Sequence, residues 1–489
     1  MLIGVDAGTS VVKAVAFTND GEAVRVAARP TGVISPIPGY AEQDLEELLA
    51  AVGAVIQEAA QDDSIELVGV TGQGDGVWLL DHAGRQVRRP ILWSDARASA
   101  LVTEWIDSGV AEEAFRRSGN MPFPGAAAPL LAWLDNHEPE SLRAAATAAY
   151  CKDAIVQRLT GVRGTEASDA SLPFLDPHAR RYDETLLDLY GVATWKHLLA
   201  PIDPPATPPL PLSAEGAALT GLPTGTLVHR APFDFGATMI GAGMTRPGDA
   251  LIILGTTLGC ALLTDRIDTN GEAAGMLLCM PRPDLWARVM PAMVGTPTLD
   301  WMLRIIGATH DDVDTLLAAS APGANGVMTI PYFAPAGERA PFVDPAARGQ
   351  VVGLSLESTP ADLVRSVCEG IALAARHCLE SGGLRDNAHI FLGGGGVRSS
   401  RWRQVLADVL QRPLILARQP ETGARGAALA GLVAAGRDPD LAAWTRPGGV
   451  IEPDRALAAH ADAAASFYRE QVQASRGRWR GPVMKPMHQ

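Results

Sequence analysis

The chain opens with Leu2-Ile3-Gly4-Val5-Asp6-Ala7-Gly8-Thr9-Ser10-Val11-Val12-Lys13-Ala14-Val15-Ala16-Phe17. Two runs of strand-forming residues flank a turn that contains Gly8, and glycine allows the tight backbone path that a hairpin needs. The turn's N–H groups, the hydroxyls of Thr9 and Ser10 and the Lys13 ammonium are donors suited to phosphate oxygens. Asp6 stands where it could hold a hydrated Mg²⁺. The alternative is a turn without a ligand, because many strands end in Asp-x-Gly.

The composition is that of a globular protein with large cores. The chain has 489 residues, of which 47% are hydrophobic and 20% charged, so we expect two or three domains. The net charge of −14 argues against a broad nucleic-acid or anionic-membrane surface, which clustered Lys and Arg would form. The N-terminus has no basic segment before an apolar core, and the run 251–264 is too short to span a bilayer. We therefore expect a cytoplasmic protein without nucleic-acid or membrane partners.

The five cysteines are dispersed and contain no CxxC, which is typical of reduced thiols in a cytosolic protein. The ten histidines show no zinc-binding spacing either, so the sequence does not favour a transition-metal site.

A second candidate site is the glycine-rich loop Thr71-Gly72-Gln73-Gly74-Asp75-Gly76, which follows a short apolar run at 67–70. A carboxylate on such a loop can accept two hydrogen bonds from a vicinal diol, which suits a polyhydroxy ligand. The alternative is a tight turn with a solvated Asp75. Further on, Asp95 and Arg97 are expected to form a structural ion pair, the alternative being a pocket wall.

Asp234 is a third candidate, because it stands among apolar and small neighbours in the run 231–243. Partial desolvation raises the pKa of a carboxyl group and suits it to general base catalysis. The alternative role is that of a helix N-cap.

The opening pattern recurs near the middle of the chain. Residues 249–263 again contain an apolar strand, a Gly255-Thr256-Thr257 turn and a second apolar strand. Such an internal repeat predicts two similar α/β domains, whose two hairpin turns could hold a triphosphate between them. Later, a strand at 390–392 enters Gly393-Gly394-Gly395-Gly396, which permits close approach to a flat ligand such as adenine or serves packing alone.

In this order along the chain, the motifs resemble the FGGY family of carbohydrate kinases, within the superfamily of sugar kinases, heat-shock chaperones and actin. The resemblance covers nearly the whole chain and rests on Asp6 to Lys13, Gly72 to Gly76, Trp93 to Arg97, Asp234, Gly255 to Thr257, Gly337 to Pro341, Gly393 to Gly396 with Ala407-Asp408, and Gly423 to Leu429.

The resemblance implies an α/β fold with two ribonuclease-H-like domains and an interdomain active-site cleft. We expect an N-terminal, sugar-binding domain at 1–246, a C-terminal domain at 247–440 and a helical extension at 441–489 packed on the second domain. The implied reaction is phosphoryl transfer from ATP to a sugar or polyol hydroxyl, a reaction in which the enzyme mainly positions the nucleophile and stabilises charge.

By position, the resemblance makes Asp234 the catalytic base and places Mg²⁺ near Asp6, held through water. The residues implied for ATP are Gly8, Thr9, Ser10, Lys13, Gly255, Thr256, Thr257, Gly393, Gly394, Gly395 and Ser399. Those implied for the acceptor are Gln73, Gly74, Asp75, Trp93, Asp234 and Phe235.

The departures from the family pattern concern the acceptor. Xylulokinases usually carry Met-His, and glycerol kinases Arg-Glu, where this chain has Gly74-Asp75. Asp75, the run Phe123-Pro124-Gly125 and Phe233-Asp234 are similar to the L-xylulose kinase and erythritol kinase branch. We expect a four- or five-carbon ketose or polyol, with glycerol or ribulose as alternative acceptors. A homodimer is one alternative for the assembly, and a non-catalytic ATP-dependent sugar sensor or a chaperone is the alternative from another class.

Overall fold

The computed structural model describes residues 1–394 and 398–479 of the chain. These residues form two compact units that interleave along the sequence. The first unit comprises Met1–Thr245, Thr264–Ala287 and Glu421–Arg446, and the second comprises the described residues of Arg246–Leu263, Arg288–Pro420 and 447–479.

The strands, in chain order, are β1 (Leu2–Ala7), β2 (Val11–Phe17), β3 (Ala23–Pro30), β4 (Leu67–Gly72), β5 (Trp78–Leu80), β6 (Thr147–Ala149), β7 (Leu175–Asp176), β8 (Arg181–Tyr182), β9 (Leu210–Pro211), β10 (Leu227–Arg230), β11 (Ala250–Leu254), β12 (Leu258–Thr264), β13 (Met276–Cys279), β14 (Trp286–Ala292), β15 (Met328–Ile330), β16 (Gln350–Val352), β17 (Ile390–Gly393), β18 (Leu414–Ala417) and β19 (Pro447–Ile451).

The α-helices are α1 (Leu45–Ala60), α2 (Ser99–Asp107), α3 (Val110–Ser118), α4 (Ala127–His137), α5 (Pro139–Ala144), α6 (Cys151–Thr160), α7 (Ala167–Ala170), α8 (Glu184–Leu189), α9 (Ala214–Thr220), α10 (Asp234–Ala242), α11 (Thr296–Ile306), α12 (Val313–Ala319), α13 (Pro360–Ser381), α14 (Ser400–Leu410), α15 (Thr422–Ala434), α16 (Leu441–Trp444) and α17 (Ala458–Trp479).

The first unit is built on a sheet with the strand order β3-β2-β1-β4-β10-β9. β1 pairs antiparallel with β2 and parallel with β4, so the predicted N-terminal hairpin is confirmed. β1 and β4 are buried along nearly their whole length, as expected of central strands whose two faces are both covered. The strand register places Asp6 beside both Lys13 and Thr71.

The second unit repeats this pattern in the order β14-β12-β11-β17-β18-β19. β11 pairs antiparallel with β12 and parallel with β17, as β1 does with β2 and β4. The internal repeat predicted from the sequence is therefore confirmed, and so is the α/β fold with two sheet-containing domains. In both units, the hairpin loop follows the first strand of the repeat.

Helix α1 shows how local sequence sets an element of the first unit. Asp44 is its N-cap residue, and its carboxylate accepts hydrogen bonds from the backbone N–H groups of Glu46 and Glu47 at 2.9 and 3.1 Å. The apolar residues that recur at helical spacing are buried: Leu45, Leu48, Leu49, Val52 and Ile56. Such a periodicity predicts a helix, and the structure has one at Leu45–Ala60.

Helix α15 belongs to the first unit although it follows β1 by more than 400 residues. Its backbone is in direct contact with the backbone of β1 and of α10. A Cβ atom on Gly4 would stand 1.8 Å from the Ala424 carbonyl oxygen, and one on Gly426 would stand 1.8 Å from that of Ala237. Glycine is required at these positions because any side chain would separate the elements.

Two further expectations concern the chemistry of the whole chain. All five cysteines are free and buried. In the part of the chain that the structure describes, no helix combines the length and apolar character needed to cross a bilayer.

The close approach of α15 predicts a large cost for Gly426→Ala. The new methyl group would collide with the α10 backbone, which has no flexible atom that could move aside, so we expect the free energy of unfolding to fall by roughly 3 kcal/mol or more. Chemical denaturation measures the change. Gly32→Ala is the control, since a Cβ atom there meets nothing within 4 Å. Equal stability of the two variants would contradict the packing described.

Candidate functional site

The N-terminal hairpin brings a partly buried carboxylate to the start of α15. A Cβ atom on Gly423 would lie 2.3 Å from Oδ2 of Asp6, so the first turn of α15 sits directly against this carboxylate. Burial raises the pKa of Asp6 to about 6; Lys13 opposes this shift and Glu421 adds to it. Lys13 itself donates a hydrogen bond to Oε2 of Glu421 at 2.9 Å.

The hairpin turn is joined to the glycine-rich loop by a chain of side-chain hydrogen bonds. Trp93 donates from its indole Nε1 to the Thr9 hydroxyl at 2.9 Å, and that hydroxyl donates to Oε1 of Gln73 at 2.8 Å. Gln73 in turn donates to Oε1 of Gln43 at 3.0 Å. The structure thus brings together Thr9, predicted for ATP, and Gln73 and Trp93, predicted for the acceptor. Ser10, the next residue of the turn, is exposed.

The loop that carries Asp75 packs against the segment that carries Asp234. A Cβ atom on Gly74 would lie 2.5 Å from the ring of Phe233, so this ring occupies the space that a larger residue at position 74 would need. Asp75 is only 6% exposed and has a φ of +56°, a left-handed conformation that is uncommon outside glycine. Such a conformation at a buried carboxylate is typical of functional sites.

Asp234 is the first residue of α10, and Phe233, not Asp234, is the N-cap residue. The alternative role proposed from the sequence, a helix N-cap, is therefore wrong. One oxygen of Asp234 accepts the N–H of Phe235 at 2.7 Å. Burial raises the pKa of Asp234 to about 7, with further increases from the charges of Asp6 and Asp75. The charges of Asp6 and Asp75 are thus both close enough to affect Asp234.

The backbone just before Asp234 is held by two other elements. Thr71, on β4, donates from its hydroxyl to the Pro232 carbonyl oxygen at 2.6 Å. Ser168, on α7, accepts the N–H of Phe233 through its hydroxyl oxygen at 3.1 Å. Because both contacts are hydrogen bonds to backbone groups, they fix the path of the segment that presents Asp234.

Sequence reasoning missed a buried ionic cluster that adjoins Ser168. Lys152 is fully buried, with its Nζ 2.8 Å from carboxylate oxygens of both Asp153 and Asp169. Burial alone would lower the pKa of Lys152, but these carboxylates outweigh it and raise the pKa. Arg230, which ends β10, lies 3.1 Å from Asp153. The signal in the sequence was a Lys-Asp pair inside an apolar run at 148–156.

The Asp95–Arg97 pair has the structural role expected from the sequence. Arg97 is bound through two nitrogens by the Asp95 carboxylate and also reaches Glu42 at 2.8 Å. The guanidinium carbon stands 4.2 Å from the centre of the Tyr40 ring. Buried on all sides, this pair stabilises the loop that presents Trp93.

In the second unit, a cavity of about 810 Å³ adjoins the loop of the second hairpin. Three residues predicted for ATP line it: Gly255, Thr256 and Ser399. The wall also includes Arg398 and the buried Trp402. The wall further contains three carboxylates, those of Asp300, Asp311 and Asp314. The volume lies in the range of small-molecule sites.

The remaining residues predicted for ATP have backbone roles. Thr257 accepts the N–H of Gly255 at 3.0 Å, which closes the hairpin turn. Gly394 has a φ of +97°, and a Cβ atom there would lie 2.3 Å from the Leu254 carbonyl oxygen, so packing alone requires glycine at this position. Gly393 ends β17, and Gly395 lies outside the described residues.

Comparison with known proteins relates these features to one family. The N-terminal domain model of the FGGY family of carbohydrate kinases matches residues 1–241, and its C-terminal domain model matches residues 250–435. The chain is 34% identical to the erythritol kinase of Brucella abortus, over 96% of this chain and 95% of the relative. It is 29% identical to the xylulose kinase of Escherichia coli, over 90% of this chain and 91% of the relative.

Among solved structures, that of the xylulose kinase from Rhodospirillum rubrum has a TM-score of 0.89 against this chain, at 31% sequence identity. The match covers 98% of this chain and 99% of the other.

The raised pKa of Asp234 predicts how stability depends on pH. The pKa is about 7 in the folded protein against an ordinary value of 3.8, so the folded state holds this proton more tightly than the unfolded state does. The resulting stabilisation is complete below about pH 4 and disappears as the pH rises through 7; the full difference in pKa corresponds to about 4 kcal/mol.

Asp234→Asn removes this titration. Without nucleotide or metal, we expect the variant to gain stability relative to the natural protein as the pH rises from 4 to 8, in denaturant titrations at each pH. Parallel stability curves for the two proteins would show that Asp234 is not desolvated as described.

Proposed function

Because this chain belongs to the FGGY family of carbohydrate kinases, we propose that it transfers the γ-phosphate of ATP to a hydroxyl of a four- or five-carbon polyol or ketose. Family membership makes it a phosphotransferase that acts on a sugar or polyol hydroxyl. The observation that carries the finer proposal is Asp234, a partly buried carboxylate with a pKa raised to about 7, beside the Asp75 loop.

Asp234 is proposed as the general base. A base is most effective when its pKa lies near the working pH, since it is then ionised often enough to accept a proton while still binding it well. The hydrogen bond from the Phe235 N–H orients the carboxylate. Thr71 and Ser168 hold the backbone before it, so the base would be positioned before the acceptor arrives.

Asp75 is proposed to bind hydroxyls of the acceptor that do not react. An ionised carboxylate only accepts hydrogen bonds, so it favours a vicinal diol over a carbonyl group at the same place. Polyols and ketoses both contain such diols, so the preference for a polyol rests on similarity to a relative named erythritol kinase. Gln73, Gly74, Trp93 and Phe235 are proposed to complete the acceptor site.

The nucleotide is proposed to bind through the two hairpin turns and the second-unit cavity. Gly255, Thr256 and Thr257 would contact phosphates, as would the first turn at Gly8, Thr9, Ser10 and Lys13. The adenosine moiety is proposed to lie near Gly393, Gly394, Gly395 and Ser399. The volume of the cavity and the Arg398 side chain in its wall support this assignment.

Asp6 is proposed to hold Mg²⁺ through water. Among the described residues, no group of three or more His, Cys, Asp or Glu side chains could bind a metal ion. Mg²⁺ does not require such a group, because it usually keeps several waters and binds one or two carboxylates together with substrate phosphates. The partly exposed Asp6 carboxylate fits this mode. When bound, the ion would neutralise charge on the phosphates.

The predicted cytoplasmic location is part of this proposal and is supported by the five free, buried cysteines. A homodimer stays a prediction, as do the domain limits at residues 246 and 440.

An acceptor screen tests the proposed reaction. In a coupled ADP-release assay with erythritol, D-xylulose, L-xylulose, ribulose and glycerol, we expect a four- or five-carbon acceptor to accelerate ATP turnover well above the rate with water alone.

Asp234→Asn is expected to lower kcat by at least roughly 100-fold, because it removes the base, while ATP binding measured by calorimetry stays nearly unchanged.

Two results would contradict the proposal. Near-normal kcat in Asp234→Asn would exclude Asp234 as the base. Failure of every carbohydrate tested, together with acceleration by a non-sugar acceptor, would exclude the acceptor class.

Asp75→Asn tests the acceptor contact. Asparagine tolerates the left-handed backbone at this position but cannot provide a charged acceptor. We expect the KM for the acceptor to rise about tenfold or more, as for loss of a hydrogen bond to a charged group, while the KM for ATP is unchanged. Asp81→Asn, in an exposed turn of the same unit, is the control. An unchanged acceptor KM in Asp75→Asn would remove Asp75 from the site.

A further inference from the structure

The motif Gly337-Glu338-Arg339-Ala340-Pro341 has no role in the function proposed so far. Its glutamate is 1% exposed and lies in the second unit. Oε1 of Glu338 accepts three backbone N–H groups, from Met293 at 2.7 Å, Arg339 at 2.7 Å and Ala340 at 3.2 Å. Two of these bonds are local to the loop, whereas the bond to Met293 joins segments 45 residues apart.

A buried carboxylate is costly unless its oxygens are satisfied. In residues 1–394 and 398–479, no donor lies within hydrogen-bond distance of Oε2 of Glu338. Burial raises the pKa of Glu338 to about 7, against the opposing effects of the three N–H groups and of Arg339. An apolar residue would avoid this cost, so the carboxyl group has a purpose other than filling the core.

The segment that Glu338 holds lies on the hairpin turn proposed to bind phosphates. Residues 293–295 connect β14 to α11, and the N–H of Thr296, the first residue of α11, donates to the Gly255 carbonyl oxygen at 2.9 Å. A Cβ atom on Gly295 would stand 2.1 Å from the Thr256 carbonyl oxygen. Because these contacts are between backbone atoms, a shift of residues 293–296 must also shift the turn.

We propose that Glu338 is a positioning residue, which fixes the turn at Gly255 and Thr256 for nucleotide phosphates by anchoring residues 293–296 through the Met293 N–H. The inference rests on the proposed function, which assigns phosphate binding to this turn.

Loss of the carboxyl group would leave the Met293 N–H without its acceptor and free the segment to move. Phosphate-binding turns depend on backbone groups held within about half an ångström of their working positions. Nucleotide affinity therefore depends on Glu338, whereas acceptor affinity, which rests on residues of the first unit, does not. A glutamate that only filled the core would change stability without separating these two affinities.

The experiment measures ADP binding to the full-length protein by calorimetry, with Mg²⁺ present, for Glu338→Ala, Glu338→Gln and Glu338→Asp. The glutamine carbonyl oxygen can accept the Met293 N–H as Oε1 does, and the amide nitrogen takes the place of Oε2. We expect ADP to bind roughly tenfold more weakly to Glu338→Ala, the ratio for one lost hydrogen bond to a charged group, and within about threefold of the natural affinity to Glu338→Gln.

Steady-state kinetics supply the second readout. The KM for ATP should rise in Glu338→Ala, while the KM for the acceptor at saturating ATP should not change. Asp362→Asn is the control, since this buried carboxylate of the same unit bonds to Ser320, Asn325 and Thr359 and not to residues 293–296. It should lose thermal stability and keep its ADP affinity.

The outcomes separate this inference from the proposed function. If the natural protein binds no ADP, the proposed function fails. If the natural protein binds ADP and Glu338→Ala binds it equally well, or if Glu338→Gln is as weak as Glu338→Ala, the positioning role is overturned. Should Glu338→Ala fail to fold, Glu338→Asp decides, because its carboxylate is one CH₂ too short to reach Met293 and is expected to weaken ADP binding as alanine would.

Discussion

The first unit depends on the contact between the backbone of α15 and the strands and helix beneath it. Gly4, Gly69, Gly241 and Gly426 all stand where a Cβ atom would lie about 2 Å or less from a carbonyl oxygen of the facing element. This contact carries the first turn of α15 onto the N-terminal hairpin, where Gly423 meets Asp6 and Glu421 meets Lys13. Without the glycines, a chain segment some 400 residues away could not complete the hairpin's environment.

In that environment an ionised carboxylate is energetically unfavourable, so the pKa values of the carboxyl groups are raised. Asp6 and Asp234 are both partly buried, which raises the pKa of each, and the charge of Asp6 raises the pKa of Asp234 further. The fold tolerates this because other groups hold the backbone in place, among them Thr71 and Ser168. Sites of this kind commonly reduce stability for the sake of activity, so a gain in stability on neutralising Asp234 would be consistent with a working base.

Much of the fold followed from local patterns. The two hairpins, the strand before the Asp75 loop and helix α1 were all predicted, because periodicity, glycine turns and capping residues act between near neighbours. The Asp95–Arg97 pair was predicted for the same reason. Lys152 was not recognised, because its carboxylate partner Asp169 is 17 residues away and no periodic pattern connects the two. The contact between Glu338 and Met293 was not predicted either, because the two residues are 45 positions apart in the chain.

The sequence by itself determined the family, the repeated hairpin and the identity of the candidate carboxylates, since these depend on residue types at short and ordered spacing. Only the tertiary structure decided the burial and the hydrogen bonds of those groups, and therefore their chemistry. It showed that Asp234 is the first residue of a helix and not its N-cap residue, that the Thr9 hydroxyl is bound between Trp93 and Gln73, and that Gly394 is required by packing. Burial and hydrogen bonding are properties of a site assembled from distant segments, so no local pattern encodes them.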